Sequence, residues 1–210
     1  MKKSILLGIL FVIVQQLHAQ SDKYHYGIQI GPTISTYALS NISSGTTRSA
    51  TDALGLSVTG SAGISLSKHF GIQSGLSFQL LGAKLTYSEF GKTSVLQRTF
   101  WLQVPVHFVA KLPLRDSSYF FINAGPYGAL GLMGTNNFES SYTGERTNFT
   151  FGSTGTQKRF DYGLSLGLGY ELKRGYRLSA NYLWGAANLA TTNRYDQRNR
   201  AWLIGLGYFF

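Results

Sequence analysis

Residues able to do acid–base or nucleophilic chemistry are few in this chain. His occurs at 18, 25, 69 and 107 only, there is no Cys, and the 9 Asp and Glu are outnumbered by 19 Lys and Arg. A hydrolase or acyltransferase needs Ser, His and an acidic residue clustered where substrate can reach them. Gly163-Leu164-Ser165-Leu166-Gly167 matches the letters of a nucleophile elbow. That motif works, however, on a strained strand-to-helix turn. Here the letters lie inside a strict alternation, which explains them without any catalytic role. The lack of Cys removes thiolate metal sites, and Asn136, Glu139 and Asp196 show no ligand spacing. The residues therefore predict a protein that is not an enzyme and holds neither cofactor nor metal.

The alternation itself is the strongest signal. From 160 to 171, Phe160, Tyr162, Leu164, Leu166, Leu168 and Tyr170 alternate with Asp161, Gly163, Ser165, Gly167, Gly169 and Glu171. This is the period of a β-strand, and a tilted transmembrane strand needs roughly 9–11 residues. Leucines occupy the middle of the apolar face and aromatic rings its ends, as at a lipid core between two interfaces. The pattern recurs at 54–66, 70–80 and 202–210, and more weakly at 24–35, 100–111, 119–130 and 176–184, making eight strands. Short links (67–69, 112–118, 173–175) alternate with long ones (36–53, 81–99, 131–159, 185–200). Outer-membrane barrels alternate periplasmic turns and external loops in this way. The long links are rich in Ser, Thr, Asn and Gly, so they are expected to be mobile.

Residues 1–19 read as a signal peptide, with Lys2 and Lys3 before an apolar run at 5–14 and Ala19 at the cleavage point, leaving 20–210 as one barrel domain. The run is short of the roughly 20 residues a spanning helix needs. Losing both lysines takes the formal charge from +10 to +8. Secretion and the scattered placement of Arg and Lys exclude nucleic acid as the partner. Charged residues are only 13% of the chain, too few to solvate a whole outer surface. A soluble lipocalin-like barrel is also alternating and secreted. An eight-stranded barrel has room inside only for side chains, so the Gly and Ser face belongs inward and the Leu, Phe and Tyr face outward in lipid. The fold class is therefore all-β, an eight-stranded antiparallel up-and-down transmembrane β-barrel in a bacterial outer membrane.

Three segments, Gly27-Ile28-Gln29-Ile30-Gly31, Leu102-Gln103-Val104-Pro105-Val106, and Asp161-Tyr162-Gly163 leading into Gly167-Leu168-Gly169-Tyr170, resemble the PorT-like outer-membrane β-barrel family known from Bacteroidota. The resemblance implies a location and a fold over essentially the whole mature chain. It does not imply a secretion role.

Inward parity collects His107, Lys111, Asp161, Glu171, Arg177 and Asn181, expected to form a charged network filling the lumen. Arg146, Lys158, Arg159, Arg194, Arg198 and Arg200 fall in outer loops, where phosphate or carboxylate groups of surface glycolipid are the expected partners. The chain is expected to be a monomer acting as a structural or interaction protein through its loops, toward a protein partner the sequence does not name. The alternatives are a small-solute channel or a component of a secretion apparatus. Trp202, Ile204, Leu206, Tyr208 and Phe210 form an amphipathic last strand suited to capture, by strand addition, by the barrel-assembly machinery. Deleting Phe210 is expected to reduce the folded protein recovered from outer membranes; unchanged recovery would remove its role as a signal.

Overall fold

A computed structural model describes residues 23–40, 48–87, 93–114, 118–139 and 146–210. The expected signal peptide lies outside the described residues. Among the described residues there are nine strands: β1 (Tyr24–Ser40), β2 (Arg48–Ser65), β3 (Phe70–Tyr87), β4 (Thr93–Pro113), β5 (Tyr119–Glu139), β6 (Arg146–Phe149), β7 (Phe160–Glu171), β8 (Tyr176–Gly185) and β9 (Asp196–Phe209). Eight of them close a ring in the order β1-β2-β3-β4-β5-β7-β8-β9, every neighbour antiparallel. β6 is an extra short strand on the outer end of β5, where Gly134 pairs with Phe149 and Asn137 with Arg146. Closure through β1 and β9 continues to the end of the chain, where the Phe210 and Tyr26 amides each donate to the other's carbonyl at 2.9 and 3.2 Å.

The side-chain period sorts the two faces as expected. On β7, Leu164, Leu166 and Leu168 are 60%, 60% and 56% exposed, while Asp161 and Ser165 are buried. Leu56, Val58, Ile72, Leu76, Val104, Val106, Ile122, Leu178 and Ile204 continue this apolar belt around the barrel. Aromatic rings edge it on both sides. Near the short turns, Tyr176, Tyr208 and Phe210 stack in sequence at 5.4 and 5.9 Å, and Phe120 meets Tyr170 at 5.6 Å. Near the long connections, Tyr182 lies 4.9 Å from Trp202. The short turns mark the periplasmic end. One of them, 172–175, needs Gly175 for its left-handed φ of 85°.

Strand ends depart from the sequence expectation. β1 to β5 run well past the belt, so much of the stretches expected as loops at 36–53, 81–99 and 131–159 is paired sheet forming a crown outside the membrane. The ladder persists because inward alternation persists: Tyr37, Ala83 and Leu85 are buried together and packed by Leu39, Ala50 and Tyr87. The crown begins at irregularities. Register shifts in the β2–β3 pair between Asp52 and Ser57, and in the β4–β5 pair at Phe100/Trp101. Such bulges bend and twist a sheet. Across the β2 irregularity, Thr33 Oγ1 donates to the Leu80 carbonyl at 2.7 Å and Ser35 Oγ to that of Gly82 at 3.0 Å, tying β1 directly to β3.

Three prolines stand inside strands. Each falls at a gap in a ladder: Pro32 between the Ile30–Leu206 and Thr33–Leu203 pairs, Pro105 between Ser74–Val106 and Ser77–Gln103, and Pro126 between Pro105–Tyr127 and Phe108–Ala124. Proline has no N–H to give the neighbouring strand. At Pro105 the Ser74 hydroxyl donates to the proline carbonyl at 2.8 Å and restores part of the contact.

The β1–β9 seam is also tight. A Cβ on Gly31 would overlap the Ile204 carbonyl of β9. Gly31→Val is expected to lower the fraction of protein migrating as the fast, unboiled band on SDS gels, while Gly60→Val, where a Cβ meets nothing, leaves that fraction unchanged.

Candidate functional site: the lumen and its extracellular plug

Because β7 alternates without a break, its two inward acids stand at opposite ends of the barrel. Asp161 and Glu171 are separated by ten residues, about 34 Å along the strand. That distance rules out the single charged network expected from His107, Lys111, Asp161, Glu171, Arg177 and Asn181. The structure divides those residues among three levels.

At the periplasmic end Arg177 organises the floor. Its Nη2 lies 2.5 Å from Glu171 Oε2, Nη1 donates to Gln73 at 2.8 Å, and Nη2 also reaches the Tyr119 hydroxyl at 3.3 Å. The guanidinium is held over the rings of Phe121 and Phe209, at 4.6 and 3.5 Å from their centroids. A planar cation satisfied at its edge and covered on its faces is what Arg offers and Lys does not. Lys111 sits beside this group, 5.0 Å over the Tyr119 ring and donating to Ser65 at 3.3 Å.

The middle level is polar and nearly neutral. His107 Nε2 and Ser165 Oγ are hydrogen-bonded to each other. Gln79, Gln103, Asn123 and Asn181 join them around a cavity of about 60 Å³. The side-chain oxygens of Ser61, Gln79, Asn123 and Asn181 have no protein partner. Such a space, lined by acceptors, is suited to a few ordered waters. Folding thus does bring Ser165, the serine of the letter match, beside His107. The inward carboxylate nearest in sequence to Ser165, however, is committed elsewhere: Asp161 accepts from the Tyr127 hydroxyl at 3.2 Å and from Asn199 Nδ2 at 2.8 Å. Among the described residues no group of three His, Cys, Asp or Glu is placed to hold a metal.

The extracellular level is a plug. Leu81, Trp101, Tyr127, Leu183 and Ala201 from the strands meet Ala187 and Leu189 from the 186–195 connection, all of them buried, with Phe151 packed against them. Trp101 donates its indole N–H to Thr99 at 2.9 Å and contacts the Phe151 ring edge-on at 5.2 Å. The plug segment is fixed through its backbone: Leu189 donates to the Gln197 carbonyl at 2.8 Å and accepts from Lys158 at 2.9 Å. Asn188 accepts from the Ala190 and Gln197 amides, each at 3.1 Å, and donates to Asp196 at 2.6 Å. This stretch was expected to be mobile, and its polar residues proved misleading. They satisfy the backbone of a segment whose apolar residues point inward. The short run Ala186-Ala187-Asn188-Leu189-Ala190, unusually apolar for a loop, was the signal available in the sequence.

Two of the arginines expected at the glycolipid surface are engaged in holding this segment. Arg198 pairs with Asp196 at 3.3 Å and donates to Ser40 and to the Ala186 carbonyl, each at 3.3 Å. Arg200 donates to the Gly185 carbonyl at 2.7 Å and lies 5.4 Å over the Trp184 ring. Lys158, Arg159 and Arg194 are exposed. The Arg146 side chain lies outside the described residues. Trp202, Ile204, Leu206, Tyr208 and Phe210 all face outward and are exposed.

A family model described as "Outer membrane protein beta-barrel domain" matches residues 18–190. Among solved structures, the outer membrane protein OprG from Pseudomonas aeruginosa shares the fold with a TM-score of 0.53 and 13% identity, over 90% of this chain and 96% of that one. Ail, the attachment invasion locus protein of Yersinia pestis, aligns with a TM-score of 0.43 and 15% identity, over 90% of this chain and 99% of that one. No curated protein matches the chain.

Removing one member of a buried ion pair strands the other. Arg177→Met is expected to cost about 3–5 kcal/mol of barrel stability, and the double variant Arg177→Met/Glu171→Gln to recover part of that loss. Unfolding of the three proteins in the same detergent by denaturant checks both statements.

Proposed function

Because the chain belongs to the outer membrane protein beta-barrel domain family, we propose that it serves in the bacterial outer membrane as a non-catalytic, non-conducting protein that presents its crown to partners at the cell surface. The observation that carries this reading is the apolar plug. Ala187 and Leu189, packed on Trp101, Tyr127 and Leu183, place an apolar cluster at the extracellular end of the lumen. The Arg177–Glu171 floor blocks the other end. A solute channel needs a polar path with room for hydrated solute, whereas eight strands leave space for side chains only.

The same closure bears on catalysis. His107 and Ser165 are buried between plug and floor, and this position in the lumen supports reading the pair as structural. The paired strands of the crown offer a partner a fixed surface outside the belt, and Lys158, Arg159 and Arg194 add exposed positive charge for phosphate or carboxylate groups of surface glycolipid. Membership of the PorT-like group within the family is part of the proposal. It rests on the three short segments in β1, β4 and β7 and carries no secretion role with it.

Purified protein in planar bilayers is expected to be electrically silent, and a variant lacking 186–190 to show current. Steady single-channel conductance from the intact protein would overturn the reading.

A further inference from the structure

The apolar belt carries an indentation among the described residues. On β4, Ala110 faces outward in a row with Phe70 of β3 and Ile122 of β5, and the next row pairs Leu112 with Phe120. A methyl group thus stands among large side chains that are all substantially exposed. The result is a groove of about 440 Å³ on the outer surface, walled by Phe70, Leu112, Phe120 and Ile122, with His69 at its edge. Phe70 is braced by Phe108, 5.5 Å away and nearly parallel to it.

The groove lies at the periplasmic border of the belt, beside the β2–β3 turn. That turn is well ordered: Ser67 Oγ accepts from the His69 and Phe70 amides at 3.2 and 3.1 Å, and the His69 carbonyl accepts from the Lys111 amide at 2.6 Å. It carries Lys68 and His69, both exposed. Chain-sized apolar space beside an ordered turn that exposes a lysine and a histidine matches an amphiphile with a hydrocarbon tail and an anionic head. A lysine at this depth extends toward the headgroup layer. An unfilled groove would forfeit the dispersion contacts of its lining, and the methylene groups of an acyl chain restore them.

We propose that the Ala110 groove seats one acyl chain of a glycerophospholipid of the periplasmic leaflet, with the lipid phosphate held by Lys68 and His69. The site is distinct from the crown and from the lumen, and it marks one sector of the barrel for a resident lipid.

The test uses the full protein in nanodiscs of phosphatidylethanolamine and phosphatidylglycerol, doped with a phospholipid carrying a photoreactive acyl chain, with crosslinks mapped by mass spectrometry. Crosslinks are expected to concentrate on 108–112 and 120–122. Ala110→Leu, which fills the groove, should reduce them several-fold, whereas Ala180→Leu, on the opposite side of the belt between Leu168 and Ile204, should not. Lys68→Glu/His69→Gln should reduce labelling by the phospholipid but not by a photoreactive diacylglycerol, which lacks phosphate. The heat-dependent gel shift of each variant establishes that the barrel has closed. Uniform labelling around the belt, or labelling indifferent to Ala110→Leu in a closed barrel, overturns the site. Equal loss of both probes in the Lys68→Glu/His69→Gln variant overturns the phosphate assignment.

Discussion

Backbone hydrogen bonding without water is the constraint on which this molecule depends. In hydrocarbon an unpaired amide or carbonyl costs several kcal/mol, so the first strand must find the last. The β1–β9 seam meets that demand across 12 register pairs and extends it to Phe210. Much else follows from closing at eight. The interior is then narrow, and inward positions are mostly Gly, Ser, Thr, Asn and Gln, with a few large groups at defined levels. The glycines allow neighbouring strands to approach: a Cβ on Gly167 would strike Asn181 and Asn123, and one on Gly169 the Phe121 ring.

Large lumenal side chains occupy the two ends and leave the middle polar. Arg177 with Phe121 and Phe209 closes one end by stacking and ion pairing, whereas Trp101, Tyr127 and Leu189 close the other by apolar contact. The two seals differ in what sustains them. The floor depends on a desolvated charge keeping its partner, and the plug on packing plus the hydrogen bonds of Asn188. Between them, His107 and Ser165 pair in a space of water dimensions.

The eight membrane strands, their facing and the alternation of short and long connections were legible in the sequence because a period of two encodes inside and outside directly. The Phe160–Glu171 strand coincides with the reading residue for residue. Strand ends were not legible. Past the belt the outward face no longer has to be apolar, so a segment such as Thr93-Ser94-Val95-Leu96-Gln97-Arg98-Thr99 reads as loop although it is paired throughout with β3. Inward parity identified the lumenal residues but not their partners, since Tyr127 and Asn199 reach Asp161 from strands 34 and 38 residues away in sequence. Depth along the strand, which separates Glu171 from Asp161, was available and argues against one network. The plug was hidden because loop composition suggested exposure, while its burial depends on Leu189 meeting a tryptophan 88 residues earlier.

The crown also sets the terms on which anything can bind at the surface. The connecting segments 41–47, 88–92 and 140–145 begin and end on paired strand residues, with Ser40 bonded in register to Asp196, Tyr87 to Thr93, and Glu139 to Ser94. Their end points are therefore fixed before any ligand arrives. Closing a long flexible loop on binding carries an entropic penalty that grows with its length, and immobilising each adaptable side chain adds more. The paired strand ends of the crown have already met that cost in folding. A partner docking on these paired strands, as the proposed surface role requires, would thus meet a surface already ordered by folding itself.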